Sequence, residues 1–397
     1  VAAFSRESPR LDVLRCGELC GSEGRFHWSP YDLEHPATMV RSGRLRGNGF
    51  DDLVLLSRGP EGDAISVMAG VANDWPLMPR KQAAFHRVER MEVGRAPKVN
   101  GPFDDYEDVW ITARSAGDVV NVGFLQADAN GDLSSSLALQ AGENEDYSAG
   151  HDVLLGRFYP GALPSNDAVF VGVSASGVAR IWWLPGAEDA ALTPTGEHQR
   201  LDDELGDDFD LACSRFASGD VEGDGQDEVV VAFGGALCGA GTDLSLAVGR
   251  VVDAKLRLER AATNIEATSA ALVVHDLDGD GASEVVIATP GAAHLFDGTD
   301  PARTPTVVGL PTSETILDAT AFARSAGSVG PGRIAILTDA SLCTIDSTLV
   351  AKCRPEPIQA TRVVSADLDR DGLGDLLLQT AAGVVTFLTV PAEPLGG

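Results

Sequence analysis

The stretch HDLDGDGASEVVIATPGA, residues 275–292, decides how this chain is read. It places carboxylates at Asp276, Asp278, Asp280 and Glu284 and then runs directly into an apolar, β-branched segment. Four acids within nine residues repel one another unless water separates them or a cation holds them. They stand at relative positions 1, 3, 5 and 9, with glycines at 4 and 6. That spacing lets a tight loop turn its side chains inward while a backbone carbonyl fills position 7. Such an oxygen-rich cage suits a hard divalent ion, calcium above all. The alternative is a solvated acidic turn without metal.

The pattern recurs as DVEGDGQDEVVVAFGGA at 220–236 and DLDRDGLGDLLLQTAAG at 367–383. A helix–loop–helix calcium site needs a bidentate acid at position 12, but that position is Val231, Ile287 and Leu378 in the three copies. Each copy therefore reads as strand, acidic loop, strand, with the loop as a hairpin turn. Weaker copies follow the same plan. GRLRGNGFDDLVLL at 43–56 keeps the glycines, Asn48 and Asp52 but has Arg44 and Arg46 where acids belong. The segments at 98–113, 156–173 and 323–338 keep only a turn-rich loop running into a β-branched strand. Strands after the loops start near Leu53, Val109, Val169, Val229, Val285, Ile334 and Leu376, at spacings of 56, 60, 60, 56, 49 and 42 residues. Seven units of about 54 residues are each long enough for four short strands and their turns.

Seven units account for nearly all 397 residues, and 44 Gly and 21 Pro punctuate them without sustained helical periodicity. The expected fold is all-β: a seven-bladed β-propeller of four-stranded antiparallel blades forming a single domain over residues 1–397. Residues 1–39 form a clasp and lead-in, and blades begin near 40, 92, 150, 211, 269, 315 and 360. The last unit supplies about three strands before the chain ends. The N-terminal segment around Leu11 to Cys16 is therefore expected to add the outer strand and close the ring.

The acidic loops, the FASGD lead-in before Asp220 and the AFGGA and ATPGA segments after the strands together resemble FG-GAP (VCBS-type) repeats, the calcium-loop propeller repeats of integrin α-subunits. This resemblance implies calcium, about three structural ions in all. The first would be held by Asp220, Glu222, Asp224 and Glu228, the second by Asp276, Asp278, Asp280 and Glu284, and the third by Asp367, Asp369, Asp371 and Asp375, with carbonyls from Gln226, Ala282 and Leu373. Glutamate at 222, 228 and 284 departs from the usual aspartate. The resemblance also implies a ligand site on the face opposite the loops.

Six cysteines allow fifteen connectivities, from which the repeat frame selects Cys16 with Cys20, Cys213 with Cys238 and Cys343 with Cys353. The second pair flanks the Asp220 loop and the third flanks a turn at Ser347 and Thr348; six buried thiols are the alternative. Disulfides with weak calcium loops suit an extracellular, cell-surface or periplasmic setting, with a targeting segment removed. Only four lysines beside abundant arginine, alanine and glycine suggest a bacterial source. Three calcium ions would bring the net charge from −29 to −23, which argues against nucleic acid and anionic lipid as partners. No apolar run reaches the length of a membrane span.

Catalytic motifs are absent: there is no H-E-x-x-H, Walker loop or dinucleotide fingerprint, and GVSASG at 172–177 reads as a blade turn. The acidic run LDDELGDDFDL at 201–211 reads as a solvated loop. Trp110 reads as packing between blades; of Trp182 and Trp183 one is core and the other is free to stack on a sugar or a partner. The function that follows is a calcium-stabilised binding or adhesion module recognising a protein or glycan, without catalysis. A polysaccharide lyase or other hydrolase on the same propeller is the alternative.

Overall fold

The computed structural model describes residues 2–4, 10–16, 26–32, 37–70, 80–96, 106–115, 120–140, 149–158, 167–174, 176–184, 199–206, 209–234, 237, 243–252, 255–297, 304–312, 314–322, 332–355, 360–366, 375–380 and 383–387. The described residues form antiparallel sheets whose strands are paired in sequence order. Blade 1 comprises Ala37–Gly43, Asp52–Gly59, Gly62–Met68 and Arg80–Phe85; blade 2, Arg87–Gly94, Asp108–Arg114, Val120–Ala127 and Leu133–Gln140; blade 3, Ala149–Gly156, Asp167–Val173, Ala179–Leu184 and Gln199–Arg200. Blade 4 comprises Arg215–Gly219, Glu228–Phe233, Asp243–Val252 and Lys255–Glu266; blade 5, Ala271–His275, Glu284–Thr289, Ala292–Phe296 and Thr306–Gly309. Blade 6 comprises Ile316–Phe322, Arg333–Thr338, Ser341–Asp346 and Ala351–Pro355, and blade 7 has three strands, Ala360–Ala366, Asp375–Thr380 and Gly383–Phe387. The first strand of each blade packs on the first strand of the next, and that of blade 7 packs back on that of blade 1. This cyclic order is that of a seven-bladed β-propeller.

The second strands explain the packing. EVVVAF in blade 4 is buried along its whole length because both faces of the sheet are covered. Val229, Val231 and Phe233 pack with blade 3, whereas Val230 and Ala232 pack with blade 5, as the two-residue period of a strand requires. Blade 5 repeats the division: Val285 and Ile287 join the cluster shared with blade 4, and Val286 and Ala288 join that shared with blade 6. The core is thus a set of layers between blades. Trp110 lies in one of them, fully buried between blades 2 and 3, with ring centroids 5.0 Å from Phe124 and 6.2 Å from Phe170.

Three readings change. The N-terminal strands Ala2–Phe4, Arg10–Cys16 and Phe26–Asp32 form a sheet of their own; Ala2–Phe4 and Arg10–Cys16 both pack beside Gly383–Phe387 of blade 7, but among the described residues neither is hydrogen-bonded into that blade's sheet. The acidic run is not a plain loop. Leu201–Leu205 is a short helix that buries Leu201 and Leu205, with Phe209 and Leu211 following them inward while Asp203 stays exposed. Those four apolar residues spaced among the acids seal the outer gap between blades 3 and 4, and burying them outweighs the repulsion of acids left in water. Finally, Trp183 does not stand clear of the fold: it is partly buried and packs against the same cluster.

Cys343 and Cys353 face each other across the hairpin of Ser341–Asp346 and Ala351–Pro355 and form a disulfide. Cys213 is also disulfide-bonded; Cys238 and Cys20, and the side chain of Cys16, lie outside the described residues.

Candidate functional site: the acidic loops and the central cavity

Each acidic loop leaves its first strand and enters its second strand at an acid. Asp52, Asp108, Asp167, Glu228, Glu284 and Asp375 all open second strands, directly opposite Gly43, Gly94, Gly156, Gly219, His275 and Ala366. Where the side chains are described, this acid ties the loop to the blade. Asp108 accepts hydrogen bonds from the amides of Ala96 (3.0 Å) and Ala127 (2.8 Å), and Asp52 accepts one from Gly70 (2.8 Å). Glu228 and Glu284 use Oε2 to accept the amides of Val221 and Leu277, each at 2.8 Å. The equivalence of Asp108 and Asp167 to the acids of the intact loops was present in the sequence but hidden, because positions 1 and 3 of these loops carry no acids: Asn100 and Pro102 stand there before Asp108, and Tyr159 and Gly161 before Asp167.

The blade 5 loop fits a hard cation. Oxygens of Asp276, Asp278 and Asp280 lie within 4.8 Å of one another. The glycines at positions 4 and 6, Gly279 and Gly281, have φ of 84° and 98°, which only glycine adopts without strain. Asp276 accepts amides from Gly279 (2.6 Å) and Gly281 (3.1 Å), curling the loop around it. Burial first, and then Asp278 and Asp276, raise the Glu284 carboxyl to about 7. The blade 4 loop has the same curl, with Asp220 accepting amides from Asp224 (3.0 Å) and Gly225 (2.8 Å) and Asp224 accepting that of Gln226 (2.9 Å). Here Glu228 is 1% exposed and its Oε1 accepts no hydrogen bond. Arg250, from the third strand, pairs with Glu222 and reaches to 3.3 Å from that Oε1. A protein cation therefore competes for two of the expected ligands. In the blade 7 loop Asp367, Asp369, Asp371 and Leu373, and the side chain of Asp375, lie outside the described residues.

Blade 1 goes further. Arg46, at loop position 3, donates to Asp52 through Nε (3.2 Å) and Nη2 (2.5 Å) and to the Gly70 carbonyl (2.5 Å). Its guanidinium supplies the positive charge that the intact loops would draw from an ion.

The second site is the cavity of about 900 Å³ enclosed by the first strands. Pairing registers place Met39, Arg90, Asp152, Arg215, Ala271, Asp318 and Arg362 at equivalent positions, each four residues before the end of its strand, so they form one layer around the axis. In blades 1, 2, 3, 6 and 7 a β-bulge stands immediately before this position. A bulge re-aims the side chains beside it and is often found next to functional sites. Two residues further on, Arg41 and Glu92 pair at 2.5 Å. Burial and the Glu92 charge raise Asp152 to about 6, against the pull of Val153, Arg90 and Arg41. Burial, Arg90 and Arg215 lower His151 to about 4, so it is neutral near pH 7. This cluster was not legible in the sequence, since its members are spread over some 320 residues without a shared motif.

No family model matches the chain, and no curated protein matches it. Its fold is found among solved structures. It resembles BBS1N, solved in complex with ARL6DN, at TM-score 0.57 and 13% identity over 89% of this chain and 91% of that one. It also resembles an Agrocybe aegerita lectin described by its recognition of non-reducing terminal N-acetylglucosamine, at TM-score 0.56 and 13% identity over 97% and 94%. An α-L-arabinofuranosidase from Fusarium graminearum follows at TM-score 0.45 and 10% identity over 76% and 88%. At these identities the likeness speaks to the fold. The expectation of a recognition module without catalysis is withdrawn as the main reading: a lectin and a glycosidase both stand among the matches, and a shared fold fixes neither binding nor catalysis. Among the described residues, no helix is long and apolar enough to cross a membrane.

Proposed function

We propose that the protein is a glycan-cleaving enzyme acting in the central cavity, on a propeller whose FG-GAP-type loops hold structural calcium in blades 4, 5 and 7. The observation that carries the reading is a pair of carboxylates in the cavity: Asp152, whose carboxyl is raised to about 6 chiefly by burial, and Glu92, which is ion-paired with Arg41. Glycoside hydrolysis needs such a division: one carboxyl that gives its proton to the leaving oxygen and one carboxylate that stabilises or attacks the developing cation. Asp152 is the acid and Glu92 the carboxylate. His151, neutral and bonded to Arg90 through its backbone carbonyl, lines the same cavity. Calcium, when bound, would neutralise the loop carboxylates and fix hairpin geometry; the oxygens of Asp276, Asp278 and Asp280 are the best fit. Disulfides, calcium loops and the arginine-rich composition support a secreted bacterial protein, with the N-terminal strands buttressing blade 7.

The test is release of new reducing ends from a panel of plant, algal and bacterial polysaccharides. Asp152→Asn should lower turnover at least a hundredfold with little effect on substrate affinity. Binding of glycans with no turnover of any would return the protein to the class of lectins.

A further inference from the structure

We propose that the central cavity selects glycans bearing an oxyanion, a uronate carboxylate or a sulfate ester, and that Arg90, Arg215 and Arg362 hold it. The inference rests on the cavity being the glycan site and adds the substrate class. Its starting point is a reversal of charge. The chain carries 59 acids against 30 basic residues, yet the axial layer holds three arginines against two aspartates, with the Arg41–Glu92 pair beside it neutral overall. Guanidinium groups are not assembled around an axis by default. Burial disfavours the charge on Arg90, and of its charged neighbours Asp152 and Glu89 favour it while Arg362 and Arg41 oppose it.

Their hydrogen bonds leave capacity for a ligand. Among the described residues Arg90 donates only to the backbone carbonyls of His151 and Glu89, and Arg215 to that of Ser214. Each guanidinium has five donors in a planar fork matched to carboxylate and sulfate, so most remain uncommitted. The acids of the layer are otherwise engaged: Asp152 accepts the amide of Val153 and Asp318 that of Val363, both 2.9 to 3.0 Å away. Burial raises both carboxyls, which weakens their repulsion of an incoming anion. Arg90, Arg215 and Arg362 come from blades 2, 4 and 7, so the anion is gripped from separate sides of the ring.

The experiment is calorimetric titration of the Asp152→Asn protein with three oligosaccharides of equal length: an oligogalacturonate, a sulfated galactan fragment and a neutral galactan fragment. Saturable binding of an acidic probe at least tenfold tighter than the neutral one is expected, weakening with added salt. Preference for the first assigns a uronate, and preference for the second a sulfate ester. Arg90→Gln with Arg362→Gln should cost at least tenfold in affinity for the acidic probe and leave the neutral one unchanged, with the melting temperature confirming the fold. Equal binding of all three probes, no binding, or affinity indifferent to the double substitution overturns the proposal. Turnover separates the two readings: acidic glycans bound but never cleaved by the parent protein would sink the enzyme and keep this site, whereas cleavage of neutral glycans alone would do the reverse.

Discussion

Arg46 stands where an intact loop carries its second acid, and it turns a cation site into an internal ion pair. Asp52 is fully buried and burial raises its pKa, so removing its partner would leave an uncompensated carboxylate inside the blade. Arg46→Ala should destabilise the protein by about 3 kcal/mol in urea unfolding, and Arg46→Lys should recover only part, since a lysine cannot span Asp52 and the Gly70 carbonyl as the planar fork does. An alanine variant as stable as the parent would remove the argument. Leu349 is the opposite case. It is 38% exposed with φ of 55°, closing the turn through its amide to the Asp346 carbonyl at 2.9 Å. Its side chain strains the turn and packs on little, so Leu349→Gly should stabilise by about 0.5 to 1 kcal/mol. Arg46 was legible as a departure from the loop pattern. The strain at Leu349 was not, because the sequence shows a turn but not which of its residues is left-handed.

Among the elements, the hairpin that follows blade 6's second strand is tied by Cys343–Cys353, ten residues apart. Closing so short a loop limits the entropy removed from the unfolded chain, so replacing both with serine should cost about 2 to 3 kcal/mol, read as a lower urea midpoint with an unchanged slope. The acidic loops are elements of the same kind. Excess EDTA should lower the melting temperature, with the blade 5 loop filling more tightly than that of blade 4, where Arg250 engages Glu222 and Glu228. Arg250→Ala should then strengthen calcium binding at blade 4; equal affinity before and after would mean the arginine does not compete. The loops and their following strands were readable because the acids, glycines and apolar runs are local. The helix at Leu201–Leu205 was not: its acids outnumber its apolar residues, and only the gap between blades 3 and 4 makes Leu201 and Leu205 worth burying.

On the scale of the whole molecule, the axial layer predicts a pH dependence. The folded state favours protonated Asp152, whose carboxyl moves from 3.8 to about 6, with Glu92, Arg90, Arg41 and the neutral His151 around it. Its contribution to stability is therefore full below pH 3.8 and is lost as pH rises through about 6. Melting temperatures of the parent and of Asp152→Asn, compared across pH 4 to 7, should show the asparagine variant gaining relative stability as pH rises; parallel curves would count against a raised carboxyl. The sequence by itself determined the repeat, the strand that follows each loop, the curled acidic turns of blades 4 and 5 and the disulfide between Cys343 and Cys353, because these depend on residues within one unit. Only the tertiary structure decided that Arg90, Asp152, Arg215, Asp318 and Arg362 form one layer, since that proximity arises from the registers of separate blades brought around a common axis. The face expected to matter followed from the loops; the cavity between the first strands followed from closing the ring.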